Sequence, residues 1–143
     1  MGAQSGRVLE RSRRAAAPLA VAAVLGAAVA RVAAVDPSRP GAGPYPSCPL
    51  LRWTGLYCPA CGGLRGLHAL TRGDLPAALH ANALAVAGYA VFAVLWAGWL
   101  LRTLRGGAGM RVPLRAPHWW ALAALTLAFT VVRNLPPGAV LAP

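Results

Sequence analysis

The chain has 143 residues, 57% of them hydrophobic and only 12% charged, with a mean hydropathy of +0.54. Soluble domains carry about 25% charged residues, so this composition points to an integral membrane protein and away from a soluble domain. All 14 basic residues are arginines, against three acids and a net charge of +11; so few carboxylates exclude hydrolase chemistry that needs them in pairs.

Residues 1–14 form a basic tail with Arg7, Arg11, Arg13 and Arg14. Ala15 to Val35 is apolar apart from Arg31, which lies near the end of the run and can snorkel to the interface, so 15–35 is read as the first span. Ala28-Val29-Ala30 also fits a signal-peptidase site, which gives residues 1–30 a rival reading as a cleaved signal. Residues 36–57 hold Pro37, Pro40, Pro44 and Pro46 among glycines, and then Cys48-Pro49, so an extended loop is expected there. Trp53 and Tyr57 beside Arg52 suit the headgroup zone.

Cys58-Pro59-Ala60-Cys61-Gly62-Gly63-Leu64-Arg65 follows. Pro59 suits a first helical position, which makes Cys58 an N-cap and places Cys61 one turn on. A thiol there feels the positive end of the helix dipole, and Arg65 can add to that. Leu64, Leu67 and Thr71 share one helical face, and Arg65, His68 and Arg72 another, so 58–73 is expected to be a short amphipathic helix lying at the interface. Gly73 ends it and Asp74 caps the next helix, 74–101, read as one continuous second span. Its uncharged part, Ala83 to Leu101, is 19 residues long, or about 28 Å at the helical rise.

Residues 102–117 are a glycine-rich basic loop, 118–135 a short third span, and 136–143 a tail. Four arginines before the first span and four within residues 102–118 outweigh four spread over 36–81. Positive-inside counting therefore puts the N-terminus in the cytoplasm and the cysteines outside it. With three antiparallel spans, Asp74, Asn82, Arg133 and Asn134 come out on the side of Cys48, Cys58, Cys61, Arg65 and His68. Arg133 is expected near the headgroups with Asp74 as its partner, and Asp36 as the competing one. No nucleic-acid motif accompanies the charge, so no nucleic-acid partner is expected.

Cys48-Pro49, Thr54 to Arg65, Gly73-Asp74-Leu75, Ala78, Asn82 and Arg133-Asn134-Leu135-Pro136 together resemble domain of unknown function 2752, a family of small bacterial membrane proteins. Leu64 stands where that family usually has threonine, and Ala83 where proline usually follows the asparagine. The resemblance implies a small helical membrane protein of the bacterial inner membrane and brings no activity with it. The expected fold is all-α: an integral membrane protein with three transmembrane helices and the interfacial cysteine helix. The expected function is that of a non-catalytic membrane adaptor or assembly protein with a disulfide-capable cysteine cluster, with the lipid bilayer and a membrane protein as partners. Two alternatives stay open: thiol–disulfide redox chemistry at Cys58 and Cys61, and zinc held by Cys48, Cys58, Cys61 and His68.

Overall fold

The computed structural model describes residues 2–38, 45, 47–107 and 115–142, with the backbone alone for 2–14 and 139. Residues 39–44 and 46 of the expected loop, and 108–114 of the basic loop, lie outside the described residues. The described chain is helical and contains no strand: α1 Gly2–Ala34, α2 Pro49–Thr54, α3 Gly63–Thr71, α4 Leu75–Leu104, α5 Ala116–Arg133, and a closing 3-10 helix, Pro136–Leu141. Two of these elements are long and apolar enough to cross a membrane, α1 over Ala15–Ala34 and α4 over Leu75–Leu104. The expected third span, carried by α5, is not among them.

Contacts divide the chain into two compact units, residues 1–28 with 90–113 and residues 29–89 with 114–143. In the first unit the Trp96 indole N–H donates to the carbonyl of Pro18 at 3.0 Å. The second unit contains the cysteines and every residue discussed below as part of their surroundings.

Three local features of the second unit differ from a plain helical reading. The expected helix over 58–73 begins later, at Gly63, because Gly62 takes a left-handed φ of 82° that an α-helix cannot contain. Residues 58–62 instead form successive tight turns, Cys61 N–H to Cys58 O at 3.1 Å and Gly63 N–H to Ala60 O at 2.9 Å. Cys48-Pro49 opens a short helix, α2, which ends at left-handed Gly55. The third feature is a kink: α4 is not continuous, since Asn82 has extended backbone (φ −168°, ψ 93°) inside it.

The junction between α3 and α4 follows the sequence closely. Gly73 N–H donates to Leu70 O and Asp74 N–H to Ala69 O, both at 3.0 Å. That pair of bonds is a Schellman motif, with Gly73 supplying the required positive φ of 77°. Asp74 then accepts from Ala77 N–H at 2.9 Å, capping the first turn of α4.

Burial is inverted relative to a water-soluble fold. Among the described residues, the largest fully buried side chains are Arg133, Asn82 and Pro18, and the buried hydrophobic residues are Ala15, Val32, Cys61 and Ala78. Large apolar residues such as Val24, Val91, Val94, Trp120 and Leu127 face outward. Exposed apolar side chains in such numbers are the kind of surface that contact with lipid or with another protein covers.

Helix α3 lies against the start of α4 through Gly66, where an added Cβ would stand 3.1 Å from the Ala78 carbonyl oxygen. At Gly88 a Cβ meets nothing within 4 Å. Gly66→Leu is therefore expected to lower stability by about 1–3 kcal/mol through overpacking, and Gly88→Leu to leave it nearly unchanged. Thermal unfolding in detergent compares the two, and an equal loss from both would show that the α3–α4 contact is not tight.

Candidate functional site

Two turns and a short helix bring the three cysteines together. The sulfurs of Cys48, Cys58 and Cys61 all lie within 4.8 Å of one another. The Sγ atoms of Cys58 and Cys61 are 3.0 Å apart. The backbone N–H of Cys58 also donates to the Cys61 sulfur at 3.3 Å. Cys61 is buried, whereas Cys48 and Cys58 are half-buried, and no two of the three are bridged. Three thiols so placed could hold a metal ion.

The backbone of this cluster is held by two polar residues from remote helices. Arg133, at the end of α5 and 1% exposed, donates through Nη1 to the carbonyls of Cys58 at 3.0 Å and Cys61 at 3.1 Å. Asn82, fully buried at the kink in α4, donates through Nδ2 to the carbonyls of Pro59 at 2.8 Å and Cys61 at 2.9 Å. Its own Oδ1 accepts from Ala85 N–H at 2.9 Å. Asn82 thus breaks α4, caps the helix that resumes, and binds the cysteine turns with the same amide. Asn134 adds a third tie, accepting from Tyr57 N–H at 2.8 Å and donating to Tyr57 O at 2.9 Å.

Among the described residues Arg133 meets no carboxylate. Its guanidinium lies over the rings of Phe129 at 5.0 Å and Tyr57 at 5.6 Å, and its Nε and Nη2 have no hydrogen-bond partner. Its expected pairing with Asp74 near the headgroups is replaced by burial under the cysteine turns. The reason is local: Asp74 is already engaged in capping α4, while the turns at 58–61 leave carbonyls that the helix would have used.

The remaining residues singled out by sequence stand apart. His68 faces another way, with Nδ1 2.8 Å from the carbonyl of Val32 at the end of α1, and it is not part of the sulfur group. Arg65 is exposed on α3, so the arginine that touches the motif is Arg133. Tyr57, Phe129 and Tyr89, whose hydroxyl donates to Gly63 O at 3.2 Å, belong to the surroundings of the motif and were not among the expected site residues. Nothing in their local sequence marks them, although Tyr57 adjoins Cys58.

The thiols are electrostatically unequal. Backbone N–H groups at the start of α2, Leu51 first, followed by the neighbouring thiols, lower the Cys48 pKa to about 7. Burial foremost, and then the other two thiols, raise that of Cys61 to about 12. In the reduced, metal-free protein, alkylation of Cys48 is expected to rise with pH through about 7 and then level off. Cys61 should stay unmodified to well above pH 9, because its proton is retained. Mass mapping of iodoacetamide adducts across a pH series reads both, and Cys61 reacting before Cys48 would overturn this order.

Since Arg133 and Asn82 share the Cys61 carbonyl, their contributions should not add. Arg133→Met and Asn82→Ala are each expected to cost about 1–3 kcal/mol by leaving buried carbonyls unpaired. The double variant should differ from the sum by about 0.5–3 kcal/mol, measured as a double-mutant cycle on thermal unfolding. Strict additivity would mean that the two residues act on separate parts of the fold.

Residues 48–96 match the model of the family described as protein of unknown function (DUF2752), the family that the motif resembles. The match takes in all three cysteines and Asn82, while Arg133 and Asn134 lie beyond it. No curated protein and no solved structure matches the chain.

Proposed function

We propose that this is a multi-pass membrane protein whose working part is a zinc site made by Cys48, Cys58 and Cys61. The observation that carries the reading is the convergence of all three sulfurs within 4.8 Å. A disulfide needs two thiols, and Cys58 with Cys61 would suffice. The third comes from ten residues earlier in the chain, and a soft ion shared by three thiolates accounts for its placement. The backbone N–H of Cys58 donates to the Cys61 sulfur, a bond that a metal-bound thiolate at Cys61 could keep. The bonds from Arg133 and Asn82 fix the turn from which two of the sulfurs project, as outer contacts do around metal centres.

The membrane setting is supported by the two long apolar helices and by outward-facing apolar residues around buried polar ones. In this reading α5 completes a third span and α3 lies at the interface. The arginine distribution favours a cytoplasmic N-terminus and 102–117 loop, with the cysteines on the opposite face of a bacterial inner membrane. The role that fits is assembly of, or attachment to, a membrane protein partner, with metal binding holding the docking surface in shape. Dithiol redox chemistry at Cys58 and Cys61 is the rival, favoured by their 3.0 Å separation.

Full-length protein purified in detergent without chelators is expected to carry one zinc per chain. Cys48→Ser, Cys58→Ser and Cys61→Ser should each lower zinc affinity by more than about tenfold, the loss that changing an outer contact alone already causes. Metal-free protein with two thiols missing, and no zinc uptake after reduction, would replace the metal reading with the redox one.

A further inference from the structure

Zinc in structural sites has four protein ligands, whereas sites with three keep a position for an outside molecule. Resting on the metal reading above, the question is whether this chain supplies a fourth. Its other carboxylates and imidazoles are Glu10, Asp36, Asp74, His68, His80 and His118. Among the described residues none of them joins the sulfur group. His68 is 2.8 Å from the Val32 carbonyl, Asp74 caps α4, and Asp36 accepts from Ser38 N–H. His118 accepts from Arg115 N–H at the start of α5.

The backbone is no better provided. The carbonyls of Cys58, Pro59 and Cys61 each already accept from Arg133, from Asn82 or from both. Residues 39–44 and 46, in the loop leading to Cys48, are arginine, proline, glycine and alanine, and bring no ligand side chain. Cys48 and Cys58 remain half-buried, so the cluster can be approached from outside.

We propose that the three-cysteine site holds its metal with the fourth position open, and that this position takes a neutral nitrogen donor of the imidazole type from another molecule. The preference for a neutral donor follows from charge. Three thiolates and a divalent ion leave one negative charge, and the buried guanidinium of Arg133, bonded to the carbonyls of two ligand residues, balances it. An anionic fourth ligand would add a charge that nothing in contact with the cluster offsets, at a site of reduced dielectric. An imidazole completes the tetrahedron without disturbing that balance. The site is then a docking point for a histidine side chain, and not a closed structural knot.

The test uses full-length protein in detergent loaded with cobalt(II), whose visible bands report coordination. Addition of free imidazole should change those bands and saturate at one imidazole per cobalt, with azide binding at least about tenfold more weakly. A dilution series without imidazole identifies the natural source: bands that change with protein concentration show the donor to be a histidine of a second copy, and bands that do not leave the position to a different partner. Bands unaffected by imidazole at any concentration, in protein that has taken up one cobalt, would overturn the open position. Azide binding as tightly as imidazole would overturn the charge argument. Failure to take up cobalt at all is a separate result, and it would remove the metal site itself.

Discussion

The second unit depends on one contact: the Arg133 guanidinium beneath the carbonyls of Cys58 and Cys61. Burying an arginine without a carboxylate is costly, and it is tolerated only where dipoles and ring faces replace water. Here two carbonyl oxygens and the faces of Phe129 and Tyr57 do so. Those carbonyls are available because residues 58–62 turn instead of continuing a helix, and they turn because Gly62 is left-handed. A glycine in the middle of the chain and an arginine near its end are thus parts of one arrangement.

Asn82 extends the same logic to α4. Extended backbone inside a helix forfeits backbone hydrogen bonds, which must be met by other groups. The Asn82 amide meets one of them by accepting from Ala85 N–H, and turns its donor side to Pro59 O and Cys61 O. Leucine or alanine at this position could continue the helix but could bind neither carbonyl. The kink and the cysteine turns therefore stabilise each other, and the Cys61 carbonyl is where α4 and α5 both reach the motif.

Much of this was legible in the sequence. Hydropathy marked α1 and α4, and Gly73-Asp74 marked the junction between α3 and α4 because each residue there serves a local backbone need. Asn82, Arg133 and Asn134 stood out as polar residues next to apolar runs, which singled them out without naming their partners. The partners were beyond reach because carbonyl oxygens have no sequence signature. A search for charge pairs gave Arg133 a carboxylate, and a proline after a cysteine gave a helix start where Gly62 had already ruled one out. The grouping of Cys48 with Cys58 and Cys61 was expected from sequence, but the turn that brings it about, at left-handed Gly55 three residues before Cys58, was not.

The inequality of the three thiols bears on how the cluster works. A dithiol that exchanges disulfides needs an attacking thiolate within the pair, with a depressed pKa and access to solvent. In this chain the Cys48 pKa is lowered to about 7, and that of Cys61, the buried member of the Cys-x-x-Cys pair, is displaced upward. A proton held that firmly makes Cys61 a poor nucleophile, yet a divalent ion can still displace it, since a metal–thiolate bond replaces the S–H bond outright. In the proposed metal site Cys48, half-exposed and with its pKa lowered to about 7, would be open to an incoming cation near neutral pH. The upward shift that counts against Cys61 as an attacking thiol is therefore compatible with the proposed metal site, where Cys61 would be the buried ligand.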